Sequence, residues 1–341
     1  MGQGRNEARP RRMVLSALVT LALALGTGVV TASAKDVDLD PSSRASVARA
    51  YNKVLAPALR VKTGWNGSVA GCRVGKESAK SRKATRKAIN FVRALNRLDP
   101  VKLSSKLNKR ALRAALLMQA NGALSHSPTK ASFSRCYSSA ARTAAGRSNL
   151  FLAYGSGDRM PSTGDRMPST GARAIVGYMT DPGSGNEAVG HRRWILNPST
   201  RVMATGSTRH ANALTVTGTK RSSKAASPTY LTWPSKGWFP TQLEPEGRWS
   251  ISTSRSRVSF ARAKVKVHQV SSKGKKLRSL KVKKHKIKNG YGPHTLVFTV
   301  KGVKVPQGKK SVRYRVSVSG IKGAKKSKYS YTVKIFDPTR F

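Results

Sequence analysis

Apolar residues recur every three or four positions in the first half of the chain, which is the spacing of amphipathic helices. The clearest run begins at Ser78 and stops at Asp99-Pro100, and the next one ends at the capping pair Asn121-Gly122. This pattern predicts helices over residues 46–59, 78–98, 106–120 and 172–180. Short buried strands are predicted over 202–206 and 213–218, and Trp194-Ile195-Leu196 is predicted to begin another.

The pattern changes after a lysine- and serine-rich stretch at 220–227. Apolar and polar residues then alternate, with glycine-containing turns between the runs, which is typical of antiparallel strands. The alternating runs are 258–270, 295–300, 311–318 and 329–335. We therefore predict a small all-β, sandwich-like domain over residues 249–341, preceded by a linker at 220–248.

The first 34 residues have the three-part pattern of a secretory signal peptide. Four arginines precede an apolar run from Met13 to Val30, and Ala32-x-Ala34 offers a cleavage site. We therefore expect export, with cleavage after Ala34. The pair Arg11-Arg12 leaves the twin-arginine route open, and an uncleaved anchor is the alternative. No later stretch approaches the roughly 18 consecutive apolar residues of a membrane-spanning helix.

Cys72 and Cys136 are the only cysteines in the chain. A metal or redox site would use cysteines at C-x-x-C spacing, whereas an isolated pair in an exported protein forms a disulfide. The sequence therefore predicts one bridge. An exact tandem repeat of seven residues, at 157–163 and 164–170, contains Gly and Pro in each copy and is interpreted as a surface loop.

The chain contains 66 Lys and Arg against 13 Asp and Glu, a formal net charge of +53. Residues 255–341 alone hold 26 of these cations and a single acid, Asp337. Such a field favours binding to polyanions, namely anionic cell-wall polymers, an anionic membrane surface or nucleic acid. Export, and the scarcity of aromatic residues between the cations, argue against nucleic acid in vivo. A lysine-rich surface that serves only solubility is the alternative interpretation, but acidic residues serve solubility better.

Two histidines lie at the ends of predicted elements. His126 follows the cap of the second helix, and His191 is close in sequence to Asp181 and Glu187. Two histidines with a carboxylate suggest a divalent-cation site, or a hydrolytic site that activates water. Hydrogen-bonded structural histidines, with Glu187 and His191 as a helical ion pair, are the simpler interpretation. The Gly-x-Ser-x-Gly pattern of a hydrolase nucleophile is absent from the sequence.

Four stretches, taken in order, resemble the CAP superfamily of cysteine-rich secretory, antigen 5 and pathogenesis-related 1 proteins, in its bacterial secreted form. They are Ile89-Asn90-Phe91-Val92-Arg93, Asn121-Gly122-x-Leu124-Ser125-His126, Ser148-Asn149-Leu150 and Gly190-His191-Arg192-Arg193-Trp194. The resemblance implies an α-β-α sandwich over residues 78–219, after a lead-in segment at 35–77. The whole chain would then be of the α+β class, with the all-β domain following the sandwich.

The cavity of that family holds two histidines and two glutamates. The resemblance implies that His126 and His191 are the histidines, that Ser148 stands at the first glutamate position, and that Asp181 replaces the second with a shorter reach. Glu187 is a nearby substitute. The implied cavity residues are therefore His126, His191, Asp181, Glu187, Ser148 and Asn149. With one glutamate lost, His126 and His191 are expected to bind zinc or another divalent cation only weakly.

We expect a monomeric, non-enzymatic secreted protein whose CAP-like part binds a small or lipid-like ligand or a partner. The basic β domain would hold it on the cell envelope. A metal-assisted hydrolase that uses His126 and His191 is the first alternative. A general binder of polyanions or nucleic acid is the second.

Overall fold

The computed structural model describes residues 37–153, 170–223, 228–286, 290–306 and 308–341. The predicted signal peptide and all but one residue of the tandem repeat lie outside these ranges. From Lys35 to Phe341 the chain forms one compact unit. Within the described ranges, no helix has the length and apolar character needed to cross a membrane.

The first part of the unit, up to residue 218, is a three-layer domain with a four-stranded sheet in the middle. Its strands are β1 (Lys102–Leu103), β2 (Ser148–Leu152), β3 (Val202–Ser207) and β4 (Ala211–Thr215), in the order β1-β3-β4-β2. Its helices are α1 (Arg44–Ala50), α2 (Ala56–Leu59), α3 (Ala79–Ala94), α4 (Ser105–Asn121), α5 (Ser139–Gly146), α6 (Ala172–Thr180) and α7 (Gly190–Ile195). A π-helical turn, Tyr51–Leu55, joins α1 to α2.

Each face of this sheet packs against a different pair of helices. On one face, Ala211 and Ala213 of β4 pack with the buried alanines and leucines of α4 and α5. On the other face, Leu214 belongs to the core that contains the buried residues of α3 and α6. Strand alternation thus separates two apolar cores, and the α-β-α sandwich is confirmed. A Cβ atom on Gly206 would lie 2.1 Å from the backbone nitrogen of Leu112, so only glycine lets α4 approach β3 this closely.

The second part consists of two packed sheets. One has the order β10-β11-β7-β5, and the other has the order β6-β13-β12-β8-β9. The strands are β5 (Leu231–Trp233), β6 (Gly237–Pro240), β7 (Arg248–Thr253), β8 (Lys264–Val270), β9 (Lys276–Leu280), β10 (Val282–Lys284), β11 (His294–Val300), β12 (Ser311–Ser319) and β13 (Tyr329–Phe336). The pairings are antiparallel except that β6 runs parallel to β13. The α+β class and the all-β second part are confirmed.

The structure departs from the expected elements in three places. Trp194-Ile195-Leu196 does not begin a strand, because Trp194 and Ile195 lie in α7. Residues 258–263 precede β8 as a loop rather than forming part of it. The segment 220–248, predicted as a linker, contributes β5 and β6, which pair with β7 and β13. Strands of three or four residues are too short to show a clear alternation in sequence. The domain boundaries themselves stay a prediction.

Candidate functional site

The candidate site is organised around the end of α6. Asp181 caps this helix in the left-handed conformation, with a φ of 52°, and its side chain is fully buried. Its carboxylate faces the first turn of α7. Oδ1 lies 2.5 Å from Nδ1 of His191, and Oδ2 accepts a hydrogen bond from the backbone nitrogen of Arg192 at 3.1 Å. Because a carboxylate only accepts, Nδ1 of His191 is the donor, and Nε2 is the ring nitrogen left for other chemistry.

The His191 ring packs against a buried tyrosine, and its backbone is held by a buried amide. Its centroid is 5.3 Å from that of Tyr178, and 21% of its side chain is exposed. Asn149 of β2 donates a hydrogen bond from Nδ2 to the backbone oxygen of His191 at 3.1 Å. The sequence-predicted residues His191, Asp181 and Asn149 are therefore brought together in one hydrogen-bonded group.

His126 and Ser148 lie at the end of α5. The His126 side chain is exposed, and its Nδ1 is 3.2 Å from the backbone oxygen of Ala145. Ser148 is buried, donates to the backbone oxygen of Ala144 at 2.7 Å, and lies 3.0 Å from Oγ1 of Thr215. Both polar groups are thus satisfied within the domain. Five surface cavities of about 160 to 1140 Å³ are lined by residues other than the two histidines. A shared histidine cavity stays a prediction.

The residues described by the structure contain no group of three or more His, Cys, Asp or Glu side chains placed to hold a metal ion. Asp181 contacts only one of the two candidate histidines. A divalent cation needs a more complete set of ligands, so the chemistry of these donors does not define a strong metal site. Weak zinc binding by His126 and His191 stays a prediction.

Glu187 contacts the second part of the chain instead of His191. Its Oε1 lies 3.2 Å from Nδ1 of His285, and Nε2 of His285 is 2.8 Å from Oγ1 of Thr299. A helical pair between Glu187 and His191 does not form, because α7 begins only at Gly190, after Val189 in a left-handed conformation. Glu187 therefore forms part of the contact between the two parts of the unit.

Arg192 is a buried polar connection between the two parts. Its guanidinium is buried and donates to the backbone oxygens of Met179, at 2.7 Å, and Thr180, at 3.1 Å. It also donates to two groups of β7, the backbone oxygen of Arg248 and Oγ of Ser250, both at 3.0 Å. Burial lowers the pKa of Arg192 to about 10, against the opposing effect of the nearby Asp181 carboxylate. The side chain therefore stays charged at neutral pH.

The next residue makes a second connection. Arg193 donates to the backbone oxygen of Pro293 at 2.9 Å from Nη2, and its guanidinium carbon lies 5.7 Å from the ring centroid of Tyr291. Tyr291 also packs on Gly190, where an added Cβ would be 3.1 Å from the ring. Helix α7, which carries His191, is therefore held between α6 and the β sheets, and we refer to it as the joint helix.

A buried acid missing from the sequence prediction connects to this group. Glu77 accepts from Oγ of Ser81 at 2.5 Å and from the backbone nitrogen of Ser207 at 3.1 Å. Burial raises the pKa of its carboxyl group. Oγ of Ser207 is 2.8 Å from Nδ2 of Asn212, whose Oδ1 is 2.9 Å from the hydroxyl of Tyr178, the ring that packs on His191. The sequence contains one indication that Glu77 has a specific role, because it is the only acid between Asp40 and Asp99.

The predicted disulfide between Cys72 and Cys136 is confirmed. It connects the turn that precedes α3 to the loop that precedes α5, across a sequence separation of 64 residues. No free cysteine remains in the chain. The bridge lies in the three-layer part and links the two ends of the segment that contains α3 and α4.

Taken together, these residues define a three-layer α-β-α domain whose histidine helix is fixed by a buried aspartate. Residues 86–218 match the family model described as CAP, the cysteine-rich secretory protein family. The protein therefore contains a CAP domain, and the resemblance of the sequence to the CAP superfamily is confirmed. The match covers α4 to β4 completely and leaves the β sheets after residue 218 outside it. No curated protein and no solved structure matches the chain.

Proposed function

We propose that the protein is an exported CAP-domain protein that its basic β sheets hold on anionic polymers of the cell envelope. In this proposal the CAP domain binds a small ligand or a partner protein and is not an enzyme. The observation that carries the proposal is the charge of the second part, with 26 Lys and Arg and one acid between residues 255 and 341.

The position of these cations supports the proposal. The first four residues of β9, Lys276 to Ser279, are exposed, as are the lysines of the neighbouring strand β10. Lysines on an edge strand also prevent sheets from pairing with one another, but that purpose needs only a few of them. A net charge this high destabilises the compact state by self-repulsion unless an anion offsets it. A surface that binds polyanions explains both the number and the exposure of the charges.

The contacts in the CAP domain support binding rather than catalysis. The His191 side chain is hydrogen-bonded to Asp181 through Nδ1 and packs against Tyr178. His126 lies on an exposed loop next to α5. A hydrolase is the second candidate, because a buried Asp181 oriented toward Nδ1 of His191 is the arrangement that prepares a histidine as a general base. Turnover of wall or peptide substrates that His191→Ala abolishes would establish it, and equal turnover by that variant would remove it.

The test of export and retention uses the complete gene product in an expressing cell. The proposal expects the mature chain to begin at Lys35 and to be found with the cell wall. A wash of roughly 1 M salt should release it, since the Debye length falls to about 3 Å at that ionic strength. A chain that keeps residues 1–34 and stays in the cytosol would overturn the proposal. Retention that survives the wash would overturn the electrostatic part.

A further inference from the structure

A groove of about 830 Å³ runs along the sheet that contains β12 and β13. Its far side is formed by Pro41-Ser42 and by Asn96-Arg97 of the first part of the chain. Five cations line the groove, and neither Asp nor Glu does so among the described residues, although Arg97 forms an ion pair at 2.7 Å with Asp40, the residue before Pro41. The cations are Arg97, Lys236, Arg313, Arg315 and Lys334.

The strand register places like charges next to one another in this groove. Arg313 of β12 lies directly opposite Lys334 of β13, and Arg315 follows two residues along on the same face. Like charges in directly opposite positions destabilise a sheet. The ring of Trp238, 5.2 Å from Nζ of Lys334, offsets part of this repulsion. The arrangement therefore opposes folding stability unless an anion lies over it.

The positive charge of this region also affects His268, a histidine on the neighbouring strand β8. His268 of β8 lies opposite Arg315 in the sheet. Its pKa is lowered, first by desolvation and then by the charges of Lys276, Lys266 and Arg315. Arg313 donates to the backbone oxygen of Ser272 at 2.6 Å and so helps to close the hairpin between β8 and β9. In the part of the chain that the structure describes, the charged groups of Arg315 and Lys334 make neither a hydrogen bond nor an ion pair, so both can receive a ligand.

The end of the groove beside the first residues of β13 is aromatic and rich in hydroxyl groups. Strand β6 pairs only with Val333 to Phe336, so Tyr329 to Thr332 lie at an edge that β6 leaves open. The rings of Tyr230 and Tyr329 lie there with centroids 4.5 Å apart. Tyr331 borders the groove as well, but its side chain is buried in the core, so Tyr230 and Tyr329 are the rings that a ligand can reach at this end.

These features match a ligand with two kinds of group. Arginine pairs with phosphate in a fixed, two-pronged geometry, and lysine adds a point charge. Tyrosine rings and hydroxyl groups suit the C–H and O–H groups of a polyol or sugar. We propose that this groove binds a phosphodiester-linked polyol or sugar polymer, with Arg315 and Lys334 on its phosphates and Tyr230 and Tyr329 beside its polyol units. This assignment rests on the proposed attachment function and gives it a defined site.

The experiment compares two variants of equal charge change in the complete chain from Lys35 onward. The groove variant carries Arg315→Gln and Lys334→Gln. The control carries Lys281→Gln and Lys283→Gln, two exposed lysines outside the groove. The probe is a poly(glycerol phosphate) chain, titrated by calorimetry at several salt concentrations. We expect the groove variant to bind about tenfold more weakly at roughly 0.15 M salt, with a log–log salt slope smaller by about 1.4 for two lost phosphate contacts. The control should lose about twofold or less.

Each possible result bears on one of the two proposals. If the wild-type protein does not bind the polymer at low salt, the attachment function fails, and the groove assignment fails with it. If the wild-type protein binds and both variants weaken equally, attachment is diffuse, and only the groove assignment is overturned. A polygalacturonate of similar length tests the chemistry, because binding as tight as that of the phosphate polymer would overturn the preference for phosphodiesters. Melting temperatures of both variants that are no lower than that of the wild-type protein show that the losses arise from binding; the groove variant should melt slightly higher, because Lys334→Gln removes a charge directly opposite Arg313.

Discussion

The contacts of Arg192 in the joint helix allow a quantitative prediction for its substitution. Arg192→Met keeps an apolar stem but removes four buried hydrogen bonds, two to the end of α6 and two to β7. At about 2 kcal/mol for each bond from a charged donor, the loss is about 8 kcal/mol before compensation. Burial lowers the pKa of Arg192 to about 10 although the nearby Asp181 carboxylate opposes the shift, so the buried charge carries a desolvation cost that the methionine variant avoids. The expected net loss is about 5 kcal/mol in the free energy of unfolding.

Urea unfolding followed by tryptophan fluorescence measures this loss, because Trp233 and Trp249 are both fully buried in the β sheets. Arg110→Met is the matched control, since Arg110 is exposed on α4, and it should change stability by less than about 0.5 kcal/mol. Arg192→Lys should fall between the two, because lysine keeps the charge but cannot reach all four acceptors. A loss below about 1 kcal/mol for Arg192→Met would refute the view that this side chain joins the two parts.

Two further predictions concern the first part of the chain. Replacing both Cys72 and Cys136 by serine should lower the free energy of unfolding by about 4 kcal/mol on the chain-entropy estimate, measured against the oxidised wild-type protein, and an unchanged stability would contradict it. Burial raises the pKa of Glu77 in the folded protein above its unfolded value near 4.5. The protonated side chain therefore contributes fully to the free energy of unfolding below that unfolded pKa, and the contribution is lost as pH rises through the folded pKa. Wild type should therefore lose stability relative to Glu77→Gln as pH rises above about 4.5, and a difference that is independent of pH would contradict this.

Much of the fold follows from local patterns. Helix α6 matches its predicted span, and α4 ends at the left-handed Gly122 that the Asn121-Gly122 pair indicated. The segment Trp194-Ile195-Leu196 shows where such reasoning fails, because three apolar residues fit a short helix as well as a strand. Helix α7 forms there because the Asp181 carboxylate accepts from its first turn and both arginines find acceptors on other elements.

The site could be predicted only in part, because some of its contacts join residues that are far apart in the sequence. Asp181 and His191 lie ten residues apart, and the family resemblance indicated both as cavity residues but not their hydrogen bond to each other. The contacts of Arg192 with Arg248 and of Glu187 with His285 span 56 and 98 residues, and they depend on how the β sheets pack on the CAP domain. No spacing in the sequence encodes that packing. The groove at Arg315 depends in the same way on the register of β12 with β13.

The central claim is that the positive charge of the β sheets attaches the protein to anionic envelope polymers. The most direct measurement is the binding of the complete chain from Lys35 to isolated cell walls as a function of salt concentration. Counterion release predicts that the logarithm of the binding constant falls linearly with the logarithm of salt concentration, and that the protein is released by roughly 0.5–1 M salt. Binding that does not depend on salt, or no binding at low salt, would contradict the account.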